Sequence, residues 1–243
     1  MKYKILIFII TYKASFRVID LIKKLPINYL KKQNFQIYIS DDCSNDDTID
    51  HINKLKSRFK KKLTININKK NLGYGGNIKK CLNFAFKRKI DYAVMLHGDN
   101  QYNPKYLKFM LETLGNKKNI AAVSGSRMFK KMEALKGKMP LYKFIGNIIL
   151  TKLFNFLYNT NYTDCHTGYW AYNLKTIKKT FFDKADDNFC FDIDMRLILT
   201  ANKLAIKETP IETIYGTERS SIHFIYAIRF LLKIFKYKLF RKI

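Results

Sequence analysis

Before residue 127 the chain repeats one pattern four times: a short apolar run, a polar corner, then a segment whose apolar residues recur at helical spacing. The runs are Lys4 to Ile10, Phe35 to Ile39, Leu63 to Ile67 and Tyr92 to Leu96. A strand that is apolar at nearly every position must be covered on both faces, as parallel strands joined by helical crossovers are. Four such units predict an α/β fold: a mostly parallel central sheet with helices on both faces, joined by right-handed crossovers. The helices expected are one through Val18, Leu21, Ile22 and Leu25 that Pro26 ends, then Thr48 to about Phe59, the stretch after Asn71 to about Lys87, and Lys105 to Leu114. A fifth strand, Ile120 to Val123, ends at Gly125-Ser126-Arg127.

In open sheets of this kind ligands sit beyond the carboxyl ends of the strands, so the polar corners are where chemistry is expected. The fourth run stops at His97-Gly98-Asp99-Asn100-Gln101. Asp99 and Gln101 are hard oxygen donors suited to Mg²⁺ or Mn²⁺ bridging phosphates. The second run stops at Ser40-Asp41-Asp42-Cys43-Ser44-Asn45-Asp46-Asp47-Thr48. Asp46 and Asp47 read as turn and helix-cap residues, whereas Asp41 and Asp42 sit at the strand end, on the same edge as Asp99. Asn71-Leu72-Gly73-Tyr74-Gly75-Gly76-Asn77 opens a helix, but Gly76-Asn77-Ile78 is not the Gly-Lys-Ser/Thr of a phosphate-binding loop, so a tight packing turn is expected. No G-x-G-x-x-G follows the first strand, which excludes a dehydrogenase-type dinucleotide site.

The 243 residues suit one large α/β domain or two small ones, and no Pro/Gly/Ser linker divides them. A formal charge of +27 implies an anionic partner such as nucleic acid, an anionic membrane or phosphorylated substrates. No zinc-finger spacing, RNP-type motif or basic zipper is present, so nucleic acid is not the expected partner. Cys43, Cys81, Cys165 and Cys190 are far apart and read as reduced thiols of a cytosolic protein. The first apolar run is too short for a signal-peptide core and reads as a strand.

Beyond Met132 the character changes. Leu141 to Tyr158 is long, apolar and aromatic, but Lys143, Asn147, Lys152 and Asn155 interrupt it, so an interfacial or groove-lining helix is expected instead of a bilayer span. Asp164-Cys165-His166-Thr167-Gly168-Tyr169-Trp170-Ala171-Tyr172 follows, then an expected helix from Leu174 to Phe181 and another from about Asp192 to Ala201. Asp192 and Asp194 suit the first turn of that helix. A late strand is expected from Ile206 to Ile214. Residues 222 to 243 are expected to form a basic amphipathic helix for a membrane surface, appended to a domain of residues 1 to 221.

Taken together, these stretches resemble the family 2 glycosyltransferases, in particular the branch of dolichyl- or polyprenyl-phosphate sugar synthases. The resemblance rests on Thr11-Tyr12 after the first strand, Asp41-Asp42-Cys43-Ser44-Asn45-Asp46-Asp47-Thr48, Asn71-Leu72-Gly73 and His97-Gly98-Asp99-Asn100-Gln101. Gly125-Ser126-Arg127, Asp164 with Thr167-Gly168-Tyr169, Asp194 and Arg219-Ser220-Ser221 complete the series. The usual Pro and Glu around Thr11-Tyr12 are missing. Where the family's metal motif has a first carboxylate, this chain has His97, a softer ligand that adds no negative charge.

The resemblance implies a single GT-A domain and an inverting, metal-dependent transfer of sugar from a nucleoside-diphosphate donor. Thr11, Tyr12, Asp41, Asp42, Gly73, Asp99 and Arg127 would bind the nucleotide sugar; Asp99, Gln101 and His97 would hold Mg²⁺ or Mn²⁺. An acceptor hydroxyl would need a base, Asp164 or Asp194, whereas an ionised acceptor phosphate would attack directly with Arg219 holding its charge. The expected acceptor is a polyprenyl phosphate or related lipid-linked molecule, reached by a cytoplasmic protein peripheral on the inner face of the membrane. Extension of a surface polysaccharide or glycan on a sugar hydroxyl is the alternative, and a non-catalytic protein binding nucleic acid or an anionic surface is the second.

Overall fold

The computed structural model describes residues 3–116, 119–213 and 224–240. Seven strands form one sheet: β1 (Lys4–Thr11), β2 (Asn34–Asp41), β3 (Leu63–Ile67), β4 (Tyr92–His97), β5 (Ile120–Ser126), β6 (Trp170–Asn173) and β7 (Ala205–Pro210). Their order is β3-β2-β1-β4-β6-β5-β7. β1 pairs in parallel with β2 and β4, β2 with β3, and β5 with β7, while β6 runs antiparallel to both β4 and β5.

Alternation along the strands builds two cores. Ile5, Ile7 and Ile9 of β1 join Val18, Leu21 and Ile22 on one face, together with Leu107, Met110 and Leu111. Leu6, Phe8 and Ile10 face the other way, onto Ile78, Cys81, Leu82 and Ala85 of the helix Tyr74–Lys87 and onto Phe191, Met195 and Leu199 of the helix Phe191–Ala201. Both faces of the strand are thus buried, which is why its sequence carries almost no polar residue. A third cluster forms where the helix Leu141–Tyr158 meets the helices Phe191–Ala201 and Phe224–Phe240, around Phe154, Ile193, Leu197, Phe230 and Ile234.

Several elements differ from the sequence expectation. The stretch Trp170–Asn173, not read as a strand, is β6 in the middle of the sheet. The helix expected from Leu174 to Phe181 is shorter and later, Lys179–Asp183, because β6 uses the chain up to Asn173, whose side chain accepts the Lys175 N–H in a turn. The segment Thr48 to Phe59 is two short helices, Thr48–Asn53 and Lys56–Phe59. The late strand is shorter than expected, Ala205–Pro210, with Ile211 N still donating to Ser126 O of β5 at 2.9 Å. The helix Leu141–Tyr158 and β3 have the expected bounds.

Candidate active site

The parallel strands deliver their corners to one sheet edge. There β1 ends at Thr11, β2 at Asp41, β4 at His97 and β5 at Ser126. Because β6 is antiparallel, its entrance lies at that same edge, and it brings the loop from Asp164 to Tyr169 alongside. Gly125 N donates to Tyr169 O (2.8 Å) and Gly168 N to the Tyr102 hydroxyl (3.0 Å). A parallel β6 would carry this loop to the opposite edge.

Thr11 and Asp41 are buried and bonded to each other. Thr11 Oγ1 donates to Asp41 Oδ1 (2.9 Å), and Ser44 donates to Asp41 through its N–H (2.8 Å) and hydroxyl (2.6 Å). Asp41 thus folds the corner. Asp42, also buried, accepts from Asn68 Nδ2 and from Leu72 N, both at 2.8 Å on the same oxygen, which ties the ends of β2 and β3 to the glycine corner. Tyr12 is 51% exposed beside them. Gly73 sits at φ 79°, where a side chain is strained, and a Cβ there would lie 2.6 Å from Asp187 O. The corner is packed against residues 186–188, with Gly76 N donating to Asp187 O at 2.9 Å.

Asp99 is exposed at the end of β4, and one of its oxygens accepts the Gln101 N–H at 2.9 Å. Asn100 between them has φ 63°, and its side-chain oxygen is buried without a partner. His97 Nε2 lies 3.0 Å from Gly168 O, which can only accept, so that nitrogen carries the proton and Nδ1 is the one left for a ligand. Burial lowers the basicity of His97 against the opposing pull of Asp99 and the Gly168 carbonyl. A Cβ on Gly168 would lie 2.8 Å from both His97 Cε1 and the Tyr74 hydroxyl. Among the described residues no group of three His, Cys, Asp or Glu side chains could hold a metal. An exposed single carboxylate with amide oxygens fits a hard cation that keeps water and substrate phosphate as its other ligands.

Arg127 and Asp164 form a buried two-pronged ion pair, Nε to Oδ2 at 2.7 Å and Nη2 to Oδ1 at 3.0 Å. Asp164 also accepts from Asn147 Nδ2 (2.9 Å) and His166 N (2.9 Å). Burial works against its charge, but the Arg127 guanidinium and these donors hold its carboxyl well below the usual range. Such a carboxylate is a poor proton acceptor. Glu208 of β7 fixes the loop by accepting from Thr163 N (2.7 Å) and Asp164 N (3.0 Å).

Asp194 is nearly covered; Asp186 N (2.8 Å) and Lys233 Nζ (2.7 Å) both donate to its Oδ2. Two residues earlier, Asp192 takes the Tyr74 hydroxyl on Oδ2 (2.7 Å), while its buried Oδ1 has no partner. Burial pushes its carboxyl up to about 7, against the Tyr74 hydrogen bond and the fields of Arg196 and Arg127. By sequence Asp192 suits only the first turn of a helix, yet it is the acid of this edge best poised to exchange a proton near neutrality. Its signal was the spacing of two acids at a helix start. Arg196, one turn on, is wholly buried between the rings of Tyr162 and Trp170 (4.5 and 4.8 Å) and donates to Ser124 Oγ and Asp164 O, both at 3.1 Å. Nothing in the sequence marked it as buried. Arg219, with Ser220 and Ser221, lies outside the described residues.

Comparison with known proteins agrees with this architecture. The model of glycosyl transferase family 2 matches residues 7–181. An uncharacterised protein of Methanocaldococcus jannaschii is 30% identical over 219 residues, covering 87% of this chain and 84% of its own. The UDP-N-acetylglucosamine–dolichyl-phosphate N-acetylglucosaminyltransferase of Methanococcus voltae is 28% identical over 204 residues, 79% of this chain and 80% of its own. Among solved structures, the glucosyl-3-phosphoglycerate synthase of Mycobacterium tuberculosis, in complex with Mn²⁺, UDP and glucosyl-3-phosphoglycerate, superposes with a TM-score of 0.68 at 12% identity. That alignment covers 97% of this chain and 80% of the other. The chain belongs to glycosyltransferase family 2: it is a glycosyltransferase of the hexosyltransferase type with the GT-A fold.

Proposed function

We propose that this enzyme moves a sugar, with inversion, from a nucleoside-diphosphate sugar to a polyprenyl phosphate or related lipid-linked acceptor at the cytoplasmic face of a membrane, with Mg²⁺ or Mn²⁺ bound at Asp99. The observation that carries the reading is the convergence of Tyr12, Asp42, Asp99 and Arg127 on the carboxyl edge of one sheet. The Methanococcus voltae relative, named for a dolichyl-phosphate acceptor, supports the acceptor class. The Mycobacterium tuberculosis enzyme, crystallised with Mn²⁺ and UDP, supports the donor and the cation.

In this reading Tyr12 and Thr11 line the nucleoside pocket, and Asp41 and Gly73 shape its wall. Asp42 accepts a hydrogen bond from the base. Asp99, with Gln101 and the free nitrogen of His97, would hold the cation, which would offset the charge growing on the departing diphosphate. Arg127, anchored by Asp164, sets a positive field beside the same oxygens. An acceptor phosphate oxygen attacks the anomeric carbon from the face opposite the diphosphate; the old C–O bond breaks and its electron pair leaves with the nucleotide. Arg219 is assigned to the acceptor phosphate. In this reading attachment is peripheral; no helix among the described residues is long and apolar enough to cross a membrane.

Asp192 favours a second reading. Its unpartnered oxygen and a carboxyl pushed up to about 7 suit a base for an acceptor hydroxyl, as in extension of a glycan. That role passes to Asp192 because Asp164 and Asp194 are both engaged in ion pairs.

A thermal-shift panel of UDP, GDP, CDP and dTDP with Mg²⁺, Mn²⁺ or EDTA tests the donor site. One diphosphate should raise Tm only with metal. Radiolabelled sugar should then pass from that donor into polyprenyl phosphate extracted in organic solvent. Transfer only to soluble glycans would overturn the lipid-phosphate acceptor in favour of the second reading.

A further inference from the structure

Large apolar side chains that are exposed on this protein are concentrated on two adjoining helices. Ten of the seventeen among the described residues lie on Leu141–Tyr158 and Phe224–Phe240. On the first they are Leu141, Tyr142, Ile145, Ile149 and Phe156, which share one face at helical spacing, opposite the buried Asn147, Thr151 and Phe154. On the second, Ile228, Leu232, Phe235 and Leu239 form the same kind of stripe, opposite the buried Phe230 and Ile234. Phe156, Leu232 and Leu239 are 84%, 65% and 73% exposed. The helices touch: the Tyr158 hydroxyl donates to Ile234 O and Lys238 Nζ to Leu157 O, both at 2.6 Å. With both inner faces packed into one cluster, both stripes point away from the body.

Neither helix contains an acid, and besides Lys233, which pairs inward with Asp194, they carry five cations: Lys143, Lys152, Arg229, Lys236 and Lys238. A second copy of the chain seated on this face would bring like charges together. An anionic surface with a fluid apolar interior matches both features, since aliphatic and aromatic side chains enter the acyl boundary while Lys and Arg meet the headgroups.

We infer that the outward faces of Leu141–Tyr158 and Phe224–Phe240 form a single two-helix seat on an anionic lipid bilayer. The inner faces of the same helices reach the active edge, through Asn147 to Asp164 and through Lys233 to Asp194. A membrane-borne acceptor would therefore arrive beside the donor site. The inference rests on the lipid-linked-acceptor reading for its purpose only, and its test involves no catalysis, so the two fail separately.

The test is flotation of the full chain with vesicles of phosphatidylcholine alone or mixed with phosphatidylglycerol, at low and high salt, alongside gel filtration. Wild type should float with the mixed vesicles, less so at high salt. The variant I149S/F156S/L232S/L239S should lose at least about ten-fold in bound fraction while its thermal midpoint holds, since all four side chains are exposed. If that variant fails to fold, K152E/R229E/K236E, altering exposed cations only, should lose the preference for anionic vesicles. Three results overturn the inference: wild type that does not float, variants that float as well as wild type, or a wild-type dimer that the serine variant splits without any change in flotation.

Discussion

Asp41, Asp42 and Asp99 are held by groups from their own and neighbouring βα units, at the corners that their strands create. Asp164, Asp192 and Asp194 lie past residue 160 and depend on partners from elsewhere in the chain: Arg127 and Asn147, Tyr74, and Lys233. In the first region the backbone of a regular unit aims the carboxylate, and at Asp99, the exposed one of the three, little stability is tied up in it. In the second the carboxylates are themselves the fastenings between helices, an antiparallel strand and the sheet. Function and stability should therefore separate at Asp99 and be entangled in the second region.

The largest effect expected from this contrast is at Asp164. Asp164→Asn removes the fully buried partner of the Arg127 guanidinium, itself only 11% exposed, and breaking such a pair from one side costs about 3–5 kcal/mol. Urea denaturation at pH 7 reads this directly. The pH dependence follows from its depressed carboxyl: the stabilisation is complete above the unfolded value, near 4, and fades as pH falls below it. A loss under about 1 kcal/mol would mean that the second region is not fastened this way.

Asp99→Asn should behave in the opposite sense. The side chain is exposed, so the denaturation midpoint should shift by no more than about 0.5 kcal/mol. Turnover with saturating donor and metal should fall by about 10²–10³, as expected when a group stabilising developing charge is removed. Near-full activity would remove Asp99 from the metal site and leave the first region without its principal function.

The same contrast explains what could be read before the fold was known. The apolar runs of β1 to β4 declared their own strands, and each acid at a strand end was placed by that strand alone, so the edge carrying Asp42 and Asp99 was legible. β6 was not. Trp170-Ala171-Tyr172-Asn173 is four residues long, follows a polar loop, and gains its place only by pairing with strands 46 and 77 residues earlier in register, as Ser124↔Trp170 and Val94↔Ala171. An aromatic-rich run of this length is equally compatible with a buried loop. The distinction between Asp192 and Asp194 was hidden for a related reason. Both acids suit a helix start, and only the docking of Phe224–Phe240 decides which one receives Lys233 and which keeps a bare oxygen.

Asp192 sharpens the comparison, because it belongs to the second region yet is not a fastening. Burial holds its carboxyl up to about 7, so the folded protein binds that proton more tightly than the unfolded chain does. Its ionisation therefore costs nothing at low pH and lowers stability as pH rises from about 4 towards 7. Asp192→Asn should raise stability at pH 8 by about 2 kcal/mol, part of the gain being offset by an amide that still lacks a partner. The kinetics discriminate acceptors. With an acceptor hydroxyl, wild-type rate climbs through pH 7 and the variant loses about 10²-fold or more; with an acceptor phosphate the variant stays within a few-fold.

The smallest effect is expected where the terminal helix meets the active edge. Lys233 donates to Asp194 at 2.7 Å and lies 3.3 Å from Asp186, with 28% of its side chain exposed. Burial raises the Asp194 carboxyl more than Lys233 lowers it, whereas the less covered Lys233 is held above its own ordinary value by the two acids despite its own desolvation. The pair gains less from attraction than its short distance suggests. Lys233→Met keeps the apolar stem and removes the charge, so it should cost about 1 kcal/mol at pH 8, where Asp194 is left ionised and nearly buried. At pH 5 a carboxyl with a raised pKa takes up a proton more readily, and the cost should shrink towards zero. Paired urea titrations at the two pH values measure it. A cost that stays equal, or grows on acidification, would show that Lys233 acts through packing and that Asp194 is not the charge holding the terminal helix to the domain.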